Sequence, residues 1–393
     1  MRMGKDIAGF KDAQTLAVDF GSYRTKAVGA VEDFGGMSIS DVCAFNNPPE
    51  AVSSSVVAAP RKLGKLLASR LRDWGEKPRV GVFAVPSSSA TLKWVKVPLV
   101  QGEELREAVR FKVKRHLPYD VAEAYVTASQ PVPEDGTQTG MALAIAVPRA
   151  VVDSRAETLL YAGVEPISAE LEAQAILRVI EKTLADRGPL WRDASVTVID
   201  LGGSQTQMYV VQNRRLQFVH GVRFGADSIV QCVAQKLCVP TSQAAEQLVR
   251  PGTKLAADGF IELENREASE RIDATEPLGR LANEFVRLLR YFRSLHPERS
   301  YAGVLEQAVA CGGLAGLDGV PEYLQQSVGL RIERAVPFSP SVAQVESDTL
   351  QHHEVSQPEF TIVTGLALAG LRAGSEQTSI GNDETEFSWI RTA

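Results

Sequence analysis

The sequence predicts an α/β protein built from two lobes, and three observations lead to this fold class. The chain has 393 residues, of which 44% are hydrophobic and 23% charged, and this is enough apolar material for more than one core. Strand patterns alternate with amphipathic helix patterns along most of the chain. One pattern of strand, bend and strand also occurs once in each half, as a duplicated pair of lobes would require.

The first half begins with strands. Apolar and β-branched residues flank a tight turn at Gly21-Ser22, so residues 15–31 are predicted to form two strands. Residues 101–118 repeat apolar residues every four positions from Leu105 to Leu117, which is the spacing of an amphipathic helix. The other elements expected here are a strand over 37–45, a helix over 57–73, strands over 80–86 and 91–98, and strands near 123–130 and 141–147.

The second half contains more helices. Residues 195–224 alternate between strand patterns and turn residues, which predicts three consecutive strands. Residues 303–317 predict a buried strand that breaks into a glycine turn. Helices are expected over 149–163, 170–186, 227–238, 241–249, 276–295 and 359–372. A polar, acidic tail follows and is expected to be loose in solution.

Composition excludes several classes of protein. The net charge is −6 with lysines and arginines spread among acidic residues, which argues against nucleic acid as the main partner. The four cysteines lie in mostly apolar contexts without metal-ligand spacing, so buried thiols in a reducing cytoplasm are expected. No apolar run reaches the ~20 residues of a membrane span, so neither a membrane crossing nor an export signal is expected.

The repeated pattern predicts a phosphate site. Asp19-x-Gly21-x-x-x-Thr25 recurs as Asp200-x-Gly202-x-x-x-Thr206. Either copy alone is typical of an ordinary β-hairpin, but two copies at corresponding places in the two halves of the chain favour a shared role. Glycines bring backbone N–H groups close to an anion, and the hydroxyls of Ser22 and Ser204 add donors. The carboxylates would repel phosphate, so their expected partner is a divalent cation.

Two further features extend this site. Lys26, just past the first bend, supplies a positive charge for a phosphoryl oxygen. Cys311-Gly312-Gly313-Leu314 ends a buried strand in a turn against which a flat base or its sugar can lie. An ordinary strand-to-helix turn is the alternative for this last segment. Neither GxxxxGK nor a GxGxxG after a strand occurs, so P-loop and Rossmann sites are not expected.

The order of these motifs resembles the actin-like nucleotide-binding superfamily, and most closely its PilM family, which is related to FtsA. DFGSYRTK at 19–26 is similar to the first phosphate motif of the family, and VIDLGGSQTQMYVV at 198–211 to the second. The segment 82–126 resembles the subdomain that is peculiar to FtsA and PilM. Segments 162–181, 283–292, 310–324 and 360–370 continue in family order, so the resemblance covers nearly the whole chain up to about residue 373.

The resemblance implies an α/β, actin-like (ribonuclease H-like) fold of two lobes with an extra subdomain of the FtsA/PilM type. It divides the chain as follows: 1–79 lobe 1 core, 80–165 inserted subdomain, 166–238 lobe 2 core, 239–300 small subdomain of lobe 2, 301–358 lobe 2 core with the adenosine turn, 359–375 closing helix of lobe 1, and 376–393 polar tail.

The resemblance also implies a cofactor and its site, namely ATP with Mg²⁺ in the cleft between the lobes. The metal would be held by Asp19 and Asp200. The residues expected to bind the nucleotide are Asp19, Gly21, Ser22, Lys26, Asp200, Gly202, Gly203, Ser204, Thr206, Glu246, Glu284, Gly312, Gly313 and Leu314. Glu246 would flank the adenosine and Glu284 would meet the ribose hydroxyls.

Catalysis is expected to be slow. Many relatives carry an Asp after the threonine of the second phosphate motif, whereas this chain has Gln207, which cannot assist a metal as a carboxylate does. Glu172 lies at the start of the helix where family ATPases carry the residue that orients the attacking water. A surface helix carboxylate is the alternative for Glu172. At most slow ATPase activity is therefore expected.

The PilM family suggests the partners and the location. The first lobe would hold a groove for the short cytoplasmic amino-terminal peptide of PilN, a bitopic inner-membrane protein. The chain would then be cytoplasmic, attached peripherally to the inner membrane through this and other platform proteins of a type IV pilus, with self-association possible and with neither nucleic acid nor direct membrane insertion.

Two other functions stay open at this point. A small-molecule kinase of the same superfamily would need an acceptor site with an Asp base. Residues 80–163 are instead expected to form an apolar subdomain without an evident sugar-binding cluster. A filament-forming, FtsA-like tether would need a basic amphipathic tail, whereas this tail is acidic. Phe387, Trp389 and Ile390 in the tail are candidates to occupy the peptide groove when the partner is absent.

Overall fold

Two β-sheets, one for each half of the chain, form the framework of the protein. The computed structural model describes residues 14–33, 36–75, 77–185, 196–212, 215–264, 269–295, 307–345 and 356–376. The first sheet has the order β11-β6-β1-β2-β3-β20 and the second the order β14-β13-β12-β18-β19. Each sheet contains three successive antiparallel strands that are extended by parallel strands next to the first of them, and in the first sheet β20 also pairs in parallel with β3. This repetition is the duplication that the two Asp-x-Gly motifs predict.

The strands of lobe 1 follow the predicted order, with four additions. They are β1 Thr15–Phe20, β2 Arg24–Asp33, β3 Gly36–Asn46, the short hairpin β4 Val52–Ser53 and β5 Val56–Val57, β6 Val80–Val85, β11 Glu165–Leu171 and β20 Gln344–Val345. The sequence did not predict β4, β5, β11 or β20. Strand β11 starts with Glu165-Pro166, and its pairing with β6 shifts register between Pro166 and Ser168, because proline lacks the N–H that a regular ladder needs.

The inserted subdomain is a small sheet covered on one face by a helix. Its strands are β7 Thr91–Pro98, β8 Ala124–Ala128, β9 Val132–Pro133 and β10 Thr139–Pro148. Helix α2, Gly102–Val113, buries its predicted apolar stripe of Leu105, Val109 and Val113 against this sheet. Side chains on the other face of the sheet, including Leu143 and Ile145, join the core of lobe 1. The subdomain is therefore packed onto lobe 1.

Lobe 2 contains its own five-stranded sheet and a second, smaller sheet. Its strands are β12 Val196–Leu201, β13 Thr206–Gln212, β14 Arg215–Val222, β18 Gln307–Cys311 and β19 Arg331–Arg334, and the smaller sheet has β15 Lys254–Leu255, β16 Phe260–Glu264 and β17 Ser269–Asp273. The three consecutive strands predicted over 195–224 are confirmed. The smaller sheet was not predicted, because its strands are short and rich in charged residues.

The remaining helices surround the two sheets. They are α1 Pro60–Arg70, α3 Arg149–Tyr161, α4 Glu172–Ala185, α5 Asp227–Leu237, α6 Thr241–Leu248, α7 Thr275–Leu295, α8 Val320–Val328 and α9 Thr361–Glu376. The predicted start of α1 at residue 57 is wrong, because Val57 belongs to β5 and proline favours the first helical position at residue 60. The predicted start of α4 at residue 170 is also wrong, because β11 extends through Leu171. Residues 377–393 lie outside the described residues, and so does the prediction of a loose tail.

Helices α4 and α9 join the lobes. Both contribute to one apolar cluster that includes Val28 and Val82 of lobe 1 and Val198 and Tyr209 of lobe 2. They approach closely because Gly365 of α9 faces the backbone of α4. None of the helices within the described ranges has the length and apolar character needed to cross a lipid bilayer.

The close approach of α4 and α9 can be tested with Gly365→Ala. A Cβ atom at this position would lie 2.0 Å from the Ala175 carbonyl oxygen, so the helices must separate. We expect a loss of about 1–3 kcal/mol in the free energy of unfolding, measured by urea denaturation.

The matched control is Gly279→Ala in α7, where a Cβ would have no atom within 4 Å. This change should raise the free energy of unfolding by about 0.5–1 kcal/mol, because alanine is the better helix former. Equal effects at the two positions would contradict the packing argument.

Candidate functional site

The first glycine bend joins β1 to β2 and places a carboxylate beside a lysine. Asp19 and Lys26 are register partners, and Lys26 Nζ donates to Asp19 Oδ2 at 2.9 Å. The two side chains are only 5% and 12% exposed. Burial by itself lowers the pKa of Lys26, but the neighbouring Asp19 and Glu359 carboxylates outweigh it and the net shift is upward. A Cβ on Gly21 would lie 2.9 Å from the Arg24 carbonyl oxygen and 2.8 Å from Lys26 Nζ, so the bend favours glycine.

The second glycine bend joins β12 to β13 and supports the start of a helix. Asp200 precedes it and is 8% exposed. The Gly202 N–H donates to the Gln205 carbonyl at 3.1 Å and closes the turn. The carbonyls of Gly202 and Gly203 accept from the N–H groups of Ala226 and Asp227 at 3.0 and 2.9 Å. The bend and the first turn of α5 are therefore fixed to each other.

The two bends meet across the boundary between the lobes. The hydroxyls of Ser22 and Ser204 lie 2.8 Å apart and share a hydrogen bond. The Tyr23 ring lies over Gly203, where a Cβ would be 2.7 Å from the ring. The Tyr23 hydroxyl also bonds the Asp227 carboxyl, and burial, with this neighbour, raises the pKa of Tyr23. The bends from opposite halves of the chain thus lie against one another.

A cleft of about 1020 Å³, including space open to solvent, extends from these bends. Its polar end is lined by Asp19, Gly21, Ser22, Lys26, Glu172, Asp200, Gly202 and Gly203. Its other end is lined mostly by apolar residues, which are Ala226, Val230, Ala245, Leu248, Val249, Leu314, Leu317 and Ile362. A polar end beside an apolar end is suited to a ligand with a phosphate chain and a flat base.

The third glycine turn closes the cleft between the polar and apolar ends. Gly312 has a φ of +87°, and a Cβ there would lie 2.5 Å from Asp200 Oδ1, so only glycine suits the position. Its N–H donates to the Pro358 carbonyl at 3.0 Å. Gly312, Gly313 and Leu314 all line the cleft. The turn therefore packs directly beneath one of the two aspartates.

Glu172, the predicted catalytic residue, lies in the same polar end. It starts α4, and its Oε2 accepts from the backbone N–H of Ser87 at 3.0 Å. Burial, together with the charges of Asp200 and Asp19, raises the pKa of Glu172 to about 8. Burial and the charge of Asp19 likewise raise the pKa of Asp200 to about 7. Carboxylates from both lobes therefore oppose each other's ionisation.

This carboxylate cluster fits a magnesium ion bound with phosphate. Mutual repulsion among Asp19, Asp200 and Glu172 would be relieved by a hard divalent cation with oxygen ligands. In the part of the chain that the structure describes, no three acidic, histidine or cysteine side chains converge closely enough to hold a metal by themselves. Magnesium commonly takes one or two carboxylates and completes its shell with water and phosphate oxygens, so the donor set agrees with the predicted use of Asp19 and Asp200.

Four predicted nucleotide residues lie outside the cleft lining. Ser204 bonds Ser22 at the rim, and the Thr206 hydroxyl donates to the Phe224 carbonyl at 2.7 Å in the interior. Glu246 accepts from Asn46 Nδ2 of lobe 1 at 2.6 Å, so its carboxylate is turned toward the other lobe. Glu284 lines a separate cavity and pairs with Arg287, because its face of α7 is directed toward the end of β14. The ribose contact of Glu284 stays a prediction.

Sequence reasoning missed other lining residues. Arg24 lines the cleft and its Nη1 contacts Glu359 Oε2 at 3.0 Å. Since alternate residues of a strand share a face, the spacing of Arg24 and Lys26 could have indicated a second cation at the site. Tyr23 lies within the first bend, so its place in the motif could have indicated it, whereas Glu359 carried no such signal, because only the tertiary fold brings it to the cleft.

Comparison with protein families identifies one match over most of the chain. The family model described as type IV pilus assembly protein PilM matches residues 17–371. Among curated proteins, the cell division protein FtsA of Streptococcus pneumoniae serotype 2 (strain D39 / NCTC 7466) is 24% identical over 195 residues, which are 48% of this chain. The match spans 41% of the FtsA protein, less than half its length.

Comparison with solved structures shows the fold. A PilM-PilN type IV pilus biogenesis complex has a TM-score of 0.72 at 23% identity, covering 91% of this chain and 98% of the matched chain. The ethanolamine utilization protein EutJ of Carboxydothermus hydrogenoformans has a TM-score of 0.52 at 12% identity, covering 90% and 89% of the two chains. The fold is therefore the α/β, actin-like fold, as predicted.

The raised pKa values predict how stability depends on pH without nucleotide. Unfolded Asp and Glu lose their protons near pH 4, whereas the pKa values of Asp200 and Glu172 are about 7 and 8 in the folded chain. Between the pKa values of the unfolded and the folded chain, the folded chain holds more protons than the unfolded chain. The free energy of unfolding should therefore fall as pH rises through this range.

Urea denaturation at intervals from pH 5 to 8 measures this fall. Asp200→Asn and Glu172→Gln should each make it shallower, since neither amide titrates. Glu157→Gln on the exposed surface of α3 is the control and should leave the slope unchanged. If the dependence of the free energy of unfolding on pH is the same in all three variants, it does not arise from Asp200 and Glu172.

Proposed function

The chain belongs to the type IV pilus assembly protein PilM family, and from this premise we propose that it is an ATP-binding, actin-like scaffold of a pilus inner-membrane platform. One observation carries the nucleotide part of the proposal, namely the two glycine bends that meet beside a buried aspartate and lysine pair. The scaffold works by a shift between open and closed lobes rather than by fast turnover.

In the proposed complex, each part of ATP contacts a different group of cleft residues. The glycine bends present N–H groups to the phosphates, and Lys26 supplies a positive charge. Arg24 adds a second one. The apolar end, with Leu248 and Leu314, receives the base. Asp19 and Asp200 hold magnesium, which neutralises phosphate charge when bound.

Glu172 is proposed to position a water molecule, with slow hydrolysis as the result. Its Oε2 is held by the Ser87 N–H, so one carboxylate oxygen is fixed and the other is available to the cleft. Gln207 lies in β13 with its side chain against Gly221 of β14, and it offers no further carboxylate. These placements support an ATPase with at most slow turnover.

The partner is proposed to be the amino-terminal cytoplasmic peptide of a PilN-like membrane protein. Support comes from the family membership and from the similarity to a PilM-PilN complex. The peptide would place the chain at the inner membrane as a peripheral component of the platform. Such a short peptide needs an apolar anchor point on lobe 1 or on its inserted subdomain.

Trp94 of β7 is the proposed anchor. Along β7, Val95 and Val97 contact α2, so Trp94 lies on the opposite face, which packs toward lobe 1. The Trp94 side chain is nevertheless 47% exposed. Phe111 of α2 is 79% exposed on the other side of the small sheet. These two aromatic residues distinguish the face toward lobe 1 from the outer face of the subdomain.

Titration calorimetry with Mg-ATP tests the nucleotide site. Lys26→Met should weaken binding roughly 10- to 100-fold, because a hydrogen bond to a charged group contributes about 1.5–3 kcal/mol. Lys65→Met, on the exposed face of α1, is the control and should bind as the parent does. Binding by Lys26→Met as tight as by the parent would contradict the phosphate assignment.

The rate of ATP turnover distinguishes the proposed scaffold from the kinases of the superfamily. We expect less than about one ATP hydrolysed per minute, against ~1–100 per second for kinases. Rapid phosphoryl transfer to a sugar or carboxylate would contradict the scaffold.

Calorimetry with a synthetic PilN-type amino-terminal peptide tests the partner. Trp94→Ala should weaken binding roughly tenfold or more, as expected for the loss of a buried aromatic contact. Phe111→Ala is the matched control and should change affinity less than twofold. If Phe111→Ala has the larger effect, the peptide binds the outer face of the subdomain instead.

A further inference from the structure

The backbone carbonyls of both glycine bends are held by hydrogen-bond donors. In the second bend, the carbonyls of Gly202 and Gly203 accept from the N–H groups at the start of α5. In the first bend, Asn47, the residue after β3, supplies the donors. Its Nδ2 donates to the Gly21 carbonyl at 2.7 Å, and its backbone N–H donates to the Tyr23 carbonyl, also at 2.7 Å. One asparagine therefore supplies for the first bend what the start of a helix supplies for the second.

The threonine of the first Asp-x-Gly-x-x-x-Thr motif fixes this asparagine. The Thr25 hydroxyl donates to Asn47 Oδ1 at 2.7 Å. With its oxygen held by Thr25, the amide presents its NH₂ group to the Gly21 carbonyl. Thr25 is fully buried, so water does not compete for this bond. The threonine thus controls the direction of the amide that holds the bend.

The threonine of the second motif makes a corresponding contact. The Thr206 hydroxyl donates to the Phe224 carbonyl at 2.7 Å. Phe224 lies two residues before Ala226, whose N–H holds the Gly202 carbonyl. Thr206 is also buried and lies outside the cleft lining. In both copies of the motif, the threonine therefore bonds the segment that holds the bend.

The bonds to the carbonyls decide where the N–H groups of the first bend point. A peptide group is planar and trans, so its N–H points opposite to its C=O. The Gly21 carbonyl and the Ser22 N–H belong to one peptide group, and the carbonyl is directed to Asn47. Gly21 and Ser22 line the cleft, whereas Asn47 lies outside its lining. The Ser22 N–H is thus directed away from Asn47, and within the described part of the chain it has no protein acceptor.

Asn47 is held in place before any ligand arrives. Arg24 and Asn46 are register partners at the end of the β2–β3 ladder, and the bond from the Asn47 N–H to the Tyr23 carbonyl extends this ladder by one step. Pro48 follows, and a residue before proline is restricted to extended backbone. The donors of Asn47 are therefore preorganised.

We propose that Thr25 and Asn47 are positioning residues of the first phosphate bend, and that Thr206 has the corresponding part in the second. This rests on the proposed function, because it requires that the bends bind the phosphates of ATP. The backbone N–H groups contact phosphate, and the three side chains act through them. Donors that are already aligned avoid the cost of reorientation when an anion binds. Loss of these side chains should therefore weaken nucleotide binding more than the loss of a comparable buried hydrogen bond elsewhere.

Titration calorimetry with Mg-ATP tests the positioning role of Thr25. Thr25→Val keeps the shape of the side chain, removes the hydroxyl, and should weaken binding roughly tenfold or more. Thr25→Ser keeps the hydroxyl and should bind within about threefold of the parent. The matched control is Thr158→Val in α3, where an equally buried threonine donates to the Ser154 carbonyl over the same 2.7 Å. This control should bind within about twofold of the parent.

Variants of the other two residues extend the test. Asn47→Ala should weaken Mg-ATP binding roughly tenfold or more. The double variant Thr25→Val/Asn47→Ala should bind within about threefold of the weaker single variant, because the two residues act as one unit. Losses that multiply in the double variant would contradict this shared role. Thr206→Val should also weaken binding roughly tenfold, and binding like that of the parent would overturn the part assigned to the second bend.

Hydrogen exchange without nucleotide tests the geometry separately. The Asn47 amide is followed by hydrogen–deuterium exchange and mass spectrometry, and the next two residues are prolines, which have no amide hydrogen. Thr25→Val should speed exchange of this amide roughly tenfold, because the held side chain keeps the Asn47 N–H on the Tyr23 carbonyl. Thr158→Val should leave the rate unchanged within about twofold.

The outcomes separate this proposal from the proposed function. A parent protein that does not bind Mg-ATP at millimolar concentration overturns both. If the parent binds, and Thr25→Val and Asn47→Ala bind as tightly as Thr158→Val, the positioning role alone is overturned. Equal weakening by Thr158→Val would show a general loss of stability and would also overturn it. The same holds if the Asn47 amide exchanges equally fast in the parent and in Thr25→Val.

Discussion

The arrangement of the protein depends on negative charge collected where the two lobes meet. Asp19 is the last residue but one in the first strand of lobe 1, Asp200 has the same place in the first strand of lobe 2, and Glu172 begins the helix between them. Lys26 offsets part of this charge by direct contact with Asp19. Unpaired buried carboxylates cost several kcal/mol to desolvate, so the fold retains a cluster that is more favourable with a cationic ligand present. The raised pKa values of Asp200 and Glu172 have the same origin.

Glycine allows this cluster to form. At Gly21 a side chain would collide with the lysine, and at Gly312 it would collide with Asp200. At Gly225 a Cβ would lie 2.4 Å from the Gly203 carbonyl, so helix α5 rests directly on the second bend. The packing of α4 against α9 repeats the principle at the junction of the lobes. Close packing around these glycines therefore helps to set the geometry of the cleft.

Local patterns predicted much of this from the sequence. The hairpins β1–β2 and β12–β13 have strong alternation around glycine bends, and Glu172 was found because it starts a helix at a family position. Strands β11 and β20 were missed because their pairing is parallel and depends on distant segments. The pairing of Glu284 with Arg287 beside the end of β14 could not be predicted, because the direction of a helix face is set by what the helix packs against. Glu359 reaches the cleft only through tertiary contacts, which no local pattern encodes.

The contact between Ser22 and Ser204, with Tyr23 lying over Gly203, closes the rim above the phosphate end of the cleft. A bound triphosphate would have this rim on one side and the Gly312 turn beneath it. Departure of the ligand would then require the lobes to separate, with rupture of the serine pair and of the bond between Tyr23 and Asp227. The residence time of a bound nucleotide would then depend on these few hydrogen bonds at the rim.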